Sequence, residues 1–163
     1  MNSPFDYQIL KLTDDFYNTY LKEEYPELLV KSGRSYNCLL IESHYGYFIC
    51  VPFRTNIRHK NAFLFINTER SKQYNSGLDY SKIIIINDAK YIESRSSIID
   101  KDEFLKTKKY IDIIKNQAIK YVDTYVNHCN GIRVLDEKEF QRKYRMSTLP
   151  YFHKQLGIVE QEN

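Results

Sequence analysis

The sequence predicts an α+β protein: one domain, residues 1–163, built on a strongly bent antiparallel sheet or small open barrel with helices packed on it. Two observations carry this. Short β-rich runs crowd residues 35–67 and 82–93, joined by connections with no room for crossover helices. After residue 100 the apolar spacing changes to a helical period. The length, 163 residues, suits one core.

Phe5 to Leu12 alternates loosely and reads as a first strand. Thr13 follows as an N-cap, with Asp14 and Asp15 in the first turn of a short helix. Phe16, Tyr17, Tyr20 and Leu21 share one face of it, and Pro26 limits it. Ser35–Glu42 and Tyr47–Pro52 read as strands. Ser43-His44-Tyr45-Gly46 between them is a hairpin turn in which Gly supplies a positive φ.

Further strands are predicted at Ala62–Asn67 and Lys82–Asn87. Asn87-Asp88 turns the chain into Lys90–Glu93, and polar Thr68–Ser76 reads as a loop. Asp100-Lys101-Asp102-Glu103 resembles a capping box. Phe104, Ile111, Ile114, Ala118, Val122, Tyr125 and Cys129 then recur as one face of a single long C-terminal helix, about 40 Å long at 1.5 Å per residue. Asn130-Gly131 closes it. A shorter helix spans Asp136–Met146, and the tail from Gly157 is polar and frayed.

The composition, 42% hydrophobic and 28% charged, is that of a globular chain. The net charge of +3 is mild for a nucleic-acid binder, so any such function must rest on local clustering. The 15 Tyr, 9 Phe and absent Trp suit either stacking surfaces or an AT-rich coding bias. Cys38, Cys50 and Cys129 lack CxxC spacing and read as buried, reduced thiols of a cytoplasmic protein. No signal peptide is expected from MNSPFDYQILKL. Ile83–Ile86 is far too short to span a membrane.

The chemistry concentrates in CVPFRTNIRHK, Cys50 to Lys60. Pro52 cannot donate to a ladder, so the strand is expected to end near it and project the next residues into a loop. Arg54, Arg58 and Lys60 can hold an anion, His59 can move a proton, and Thr55 offers a hydroxyl. A metal-independent ribonuclease needs those groups. A solvated basic loop has the same composition. Asp79 and Lys82, in GLDYSK, read as a structural ion pair or as RNA contacts. Arg34 beside Ser35 and Tyr36 is a further phosphate-contact candidate. His44 reads as exposed, His128 as a helix-end cation, and His153 as a packing or surface residue. No residue group has metal-ligand spacing, and no P-loop, GxGxxG or nucleophile elbow is present.

The hairpin leading into VPFRTNIRHK, then GLDYSK with its apolar strand, then a long helix and a short one, resembles the toxins of type III toxin–antitoxin systems. The likeness is nearest to the CptN and TenpN branches, with ToxN and AbiQ more distant. It spans about residues 5–155, and its specific motifs are those two short ones. The resemblance implies a MazF/Kid-like, SH3-like open barrel. It implies an endoribonuclease that needs no metal or other cofactor and leaves a 2′,3′-cyclic phosphate. Its implied partners are a repetitive pseudoknot antitoxin RNA, bound in a closed toxin–RNA assembly, and cellular or phage RNA substrates.

ToxN-like relatives read roughly Pro, apolar, Thr, Ser, Pro, Lys at the strand end. Thr55 matches their hydroxyl position, whereas their Lys falls on Ile57 here. The basic catalytic role therefore passes to Arg58, His59 or Lys60. By the same resemblance Arg34 is an expected RNA contact, and Tyr36, Arg54, Asn56, Asp79 and Lys82 are further RNA-contact candidates. Two other functions fit the same residues: a MazF-type ribonuclease with a protein antitoxin, and a non-catalytic RNA-binding module.

Overall fold

The computed structural model describes residues 7–20, 24–28, 36–43 and 45–159. Arg34, Ser35 and His44 lie outside them, as do Phe5, Leu21 and the start of the strand expected from Ser35. The architecture is α+β, with a seven-stranded antiparallel sheet. Its strands are β1 Tyr7–Leu12, β2 Cys38–Glu42, β3 Phe48–Arg54, β4 Ala62–Leu64, β5 Gly77–Asp79, β6 Ile84–Ile86 and β7 Ile92–Ser96. The order β4-β5-β3-β2-β1-β7 leaves the sheet open, and β6 pairs with β3 off that path.

β3 is the hub. One edge pairs with β2 from Phe48↔Glu42 to Pro52↔Cys38. The other edge is shared: Phe48–Cys50 pair with β6, and Phe53–Arg54 pair with β5. The strand does not stop at Pro52, contrary to the sequence expectation. Phe53 donates its N–H to Asn37 on the β2 side at 2.8 Å, so by alternation the Pro52 nitrogen faces the opposite edge. There it meets the gap between β6 and β5, where no ladder bond is lost. Between β2 and β3 the described residues Ser43, Tyr45, Gly46 and Tyr47 form a tight turn. Gly46 takes φ 82°, and Ser43 Oγ donates to the Tyr47 carbonyl at 2.6 Å.

β2, β3 and β6 are buried on both faces, so they read as continuous apolar runs. Helix α1, Asp14–Thr19, buries Phe16. Thr13 stands at its N-cap position but sends its hydroxyl to the Lys90 carbonyl instead of capping. Cys38 and Cys50 are buried, and burial pushes the Cys38 thiol up to about 12 and that of Cys50 well above its ordinary range.

Two helical expectations change. The expected loop Thr68–Ser76 contains α2, Glu69–Tyr74, which begins in a reciprocal Thr68–Ser71 capping box. The expected single long helix is two, α3 Lys101–Lys109 and α4 Ile111–Cys129, which meet at Tyr110. The buried residues of α3 are Glu103 and Thr107, while Phe104 is exposed. Glu103 accepts from Ser76 Oγ at 2.5 Å and from Arg70 at 3.2 Å, which docks α3 on α2 by polar contacts. α4 carries the expected stripe of Ile111, Ile114, Ala118, Val122 and Tyr125 into the core. Asp100 makes no side-chain cap, and Asp102 instead accepts from the Glu69 and Glu103 N–H groups. Gly131 takes φ 70° after α4. Helices α5, Glu137–Tyr144, and α6, His153–Leu156, complete the described chain.

β5, absent from the sequence expectation, is three residues long and is clamped between β3 and β4. A Cβ at Gly77 would collide with the Phe63 carbonyl of β4. Gly77 also pairs with Arg54, so it sets where that side chain leaves the sheet. The substitution Gly77→Ala is expected to destabilise the fold by about 2 kcal/mol through overpacking against backbone. Urea unfolding reads this directly, and an unchanged midpoint would contradict the close approach.

Candidate active site

The loop after β3 is pinned at both ends. Asn56 adopts a left-handed conformation, φ 58°, which Asn tolerates better than most residues. Its N–H reaches the Tyr74 carbonyl, and the Ile57 N–H reaches that of Asn75 at 3.3 Å. Ile57 is buried in the core. Ile57 is therefore the hydrophobic anchor of the loop. Beyond it the side chains alternate: Arg58 and Lys60 are exposed, and His59 turns inward.

His59 turns toward Asp79, whose side chain is 0% exposed. Asp79 ends β5 and caps the 3₁₀ turn Tyr80–Lys82. Its carboxylate accepts from Arg54 at 2.6 Å, from Ser81 Oγ at 2.6 Å and from the Ser81 N–H at 2.9 Å. His59 Nε2 lies 3.2 Å from Oδ1 and 3.3 Å from Oδ2. A buried carboxylate is costly unless it is paired and hydrogen-bonded, and here the partners Arg54, His59 and Ser81 come from three different segments.

The tautomer of His59 follows from its neighbours. Nδ1 accepts the Asn61 N–H at 3.1 Å, so in the neutral ring the hydrogen sits on Nε2, facing Asp79. Ser81 Oγ lies 3.3 Å from that same Nε2. This is not a Ser–His–Asp relay, in which Ser and Asp meet opposite ring nitrogens. The arrangement holds the imidazole still at a cleft, 35% exposed, with its Nε2 hydrogen directed at Asp79.

The cleft, about 390 Å³, lies between His59, Asn61 and Ser81 on one side and Arg142, Lys143 and Arg145 on the other. Tertiary bonds fix its far wall. Asn61 Nδ2 donates to the Lys143 carbonyl at 3.2 Å. Lys82 Nζ binds Glu27 at 2.7 Å and the Met146 carbonyl at 2.8 Å. Thr148 donates its N–H to the Ser81 carbonyl at 3.0 Å and its hydroxyl to the Ile83 carbonyl. Burial first, and then nearby Lys120, lower the Lys143 ammonium pKa, with Glu139 opposing. A second cavity of about 210 Å³ continues from Asn61 and Lys143 past Lys60 and Lys120.

The structure thus gathers Arg54, His59 and Asp79, and sets Lys60 beside the adjoining cavity. Thr55 and Asn56 lie in the turn between β3 and the loop, and Thr55 has no hydrogen-bond partner among the described residues. Arg58 and Tyr36 line neither cavity. The proposed Asp79–Lys82 ion pair does not form, because the 3₁₀ turn sends the two side chains to different partners, Arg54 and Glu27. His128 accepts the Leu135 N–H on Nδ1 and stacks on Phe140 at 3.9 Å, which a helix-end cation would not do. His153 bonds the Tyr125 hydroxyl at 2.6 Å.

Sequence reasoning missed Ser81, Asn61 and the three cations of α5 and its end. The only local signal was Asp79-Tyr-Ser81, an Asx-type turn. Among the described residues, no group of three or more His, Cys, Asp or Glu could hold a metal ion. No helix there is long and apolar enough to cross a membrane. Comparison with protein-family models, curated proteins and solved structures finds no match to this chain.

Replacing Asp79 by Ala leaves Arg54, His59 and Ser81 without their shared acceptor. The expected loss is about 3 kcal/mol of stability, as for breaking a buried ionic network. Amide exchange at Asn56 and Ile57 should accelerate in the same variant. Unchanged unfolding and exchange would contradict the clamp.

Proposed function

We propose that this chain is a metal-independent endoribonuclease, the toxin of a type III toxin–antitoxin system held silent by a repetitive pseudoknot RNA. The observation that carries the reading is the His59 ring, 35% exposed and backed by the Asp79 carboxylate, at a cleft whose facing wall is Arg142, Lys143 and Arg145. Phosphodiester cleavage needs an anion clamp and two proton-transfer groups around one phosphorus.

In this reading Arg142 and Arg145 hold the phosphate, since Arg forks onto two oxygens and stays charged. Lys143, whose ammonium is eased toward the amine by burial, takes the proton of the ribose 2′-hydroxyl. O2′ attacks phosphorus, the bond from phosphorus to O5′ breaks, and a His59 imidazolium, its charge met by Asp79, gives one ring proton to the departing O5′ and is left neutral. The products are a 2′,3′-cyclic phosphate and a 5′-hydroxyl. Thr55 is open to orient the ribose, and Lys60 and Lys120 track the backbone. The divided edge of β3 supports the MazF/Kid-type, SH3-like sheet curvature that goes with this function, with α4 as the long helix behind it. The buried thiols, held protonated, suit a cytoplasmic toxin that meets cellular or phage transcripts and assembles with its antitoxin into a closed complex.

One observation favours a second reading, the RNA-binding module without catalysis. Both ring nitrogens of His59 are already engaged, Nδ1 by Asn61 and Nε2 by Asp79. RNA must then displace Asp79 to reach the Nε2 hydrogen.

Incubating the purified protein with labelled single-stranded RNA in chelator separates the two. Cleavage is expected, with cyclic phosphate ends. His59→Ala and Lys143→Ala should each slow it by about 100-fold or more. Lys143→Ala keeps the backbone carbonyl that Asn61 uses. RNA that is bound but left intact would support the binding module and overturn the enzyme.

A further inference from the structure

The cleft at His59 does not stand alone. It shares Asn61 and Lys143 with the cavity beside Lys60. That cavity shares Lys120 and Lys143 with a wider one of about 600 Å³, which in turn shares Asp123 and Asn127 with a pocket of about 320 Å³. Gln117, Lys120, Thr124 and Asn127 recur at steps of three or four, with Asp123 beside Thr124, so one polar stripe of α4 floors this track. From Gln117 to Asn127 it runs about 15 Å.

The pocket at the far end is built differently from the rest. Its wall is aromatic: Tyr45, 69% exposed, lies over Tyr47 with ring centroids 6.1 Å apart and planes 20° apart. Its polar groups are left over from the fold. Gln155 spends its Nε2 hydrogen on the Tyr20 hydroxyl at 2.7 Å, yet its Oε1 is buried with no partner among the described residues. The Asp123 carboxylate, half-buried, makes no hydrogen bond or ion pair among them. Burial raises the Asp123 carboxyl, in keeping with a desolvated wall.

We infer that the Tyr45–Asp123–Gln155 pocket binds one unstacked guanine base of the RNA whose backbone follows the α4 stripe to His59. This rests on the RNA reading above and adds its specificity. The exposed Tyr45 ring supplies a stacking face. The two oxygens of the Asp123 carboxylate supply two acceptors, and the Asn127 amide supplies a donor. The Watson–Crick edge of guanine carries two donors, N1–H and the N2 amine, beside the O6 acceptor. Adenine, cytosine and uracil each offer a different order, and none presents two adjacent donors.

The test uses the four ribonucleoside 5′-monophosphates one at a time, titrated into the intact protein and read by chemical shifts of the Gln155 side-chain amide. Guanosine monophosphate is expected to bind at least about tenfold more tightly than the other three. Asp123→Asn and Tyr45→Ala should each weaken it about tenfold. Equal binding of all four, or binding untouched by Asp123→Asn, overturns the inference. If guanosine monophosphate fails to bind while RNA is still cut in a His59-dependent way, this pocket falls and the proposed function stands. If it binds as expected and no RNA is cut, the pocket stands and the enzymatic reading falls.

Discussion

The buried carboxylate of Asp79 is the constraint on which the site depends. It has no solvent to stabilise it, so its lone pairs must be met by the protein. The donors come from the end of β3, the loop beyond it and the 3₁₀ turn that follows β5. Satisfying one charge therefore fixes three segments at once. The same turn carries Lys82 and Ser81, whose bonds to Met146 and Thr148 hold the chain just after α5. The cationic wall of the cleft is positioned from the same few residues as its imidazole.

The electrostatics of the chain follow from this geometry. A net charge of +3 spread evenly would attract nucleic acid weakly. Instead Lys60, Lys120, Arg142, Lys143 and Arg145 converge on two adjoining cavities. Concentrated cations give a local phosphate affinity while the remaining surface stays near neutral. Burial first, and then the nearby Lys120 charge, lower the pKa of the Lys143 ammonium. In the proposed reading, phosphate binding and proton transfer both draw on this one arrangement.

Much of the sheet was legible in the sequence because its strands are two-faced apolar runs or obey a clear hairpin signal. The antiparallel class followed from connections too short for crossovers. β5 escaped because three residues, Gly77–Asp79, carry no alternation to read. α2 is polar on every side, and its one signal is Thr68 followed three residues later by Ser71, in place of the more familiar acidic partner. The division at Tyr110 escaped because no Gly or Pro marks it. Phe104 mimics the stripe of α4 although α3 buries Glu103 and Thr107 instead. Within the site, the basic strand-end loop was readable as a cluster of chemistry. The separation of Ile57 inward and Arg58 outward was not, since it depends on the φ of Asn56. The cations of α5 look like a solvated face until Thr148 and Lys82 bring them across from His59.

The central claim is that RNA enters between His59 and α5. The most direct measurement titrates a single-stranded RNA whose ribose 2′-hydroxyls are methylated, and so cannot attack, into isotope-labelled protein. The account predicts that the His59 ring and the Arg142, Lys143 and Arg145 side-chain signals shift together, in a salt-dependent way, at one stoichiometric site. Shifts confined to another face, with the His59 ring unmoved at saturation, would contradict it.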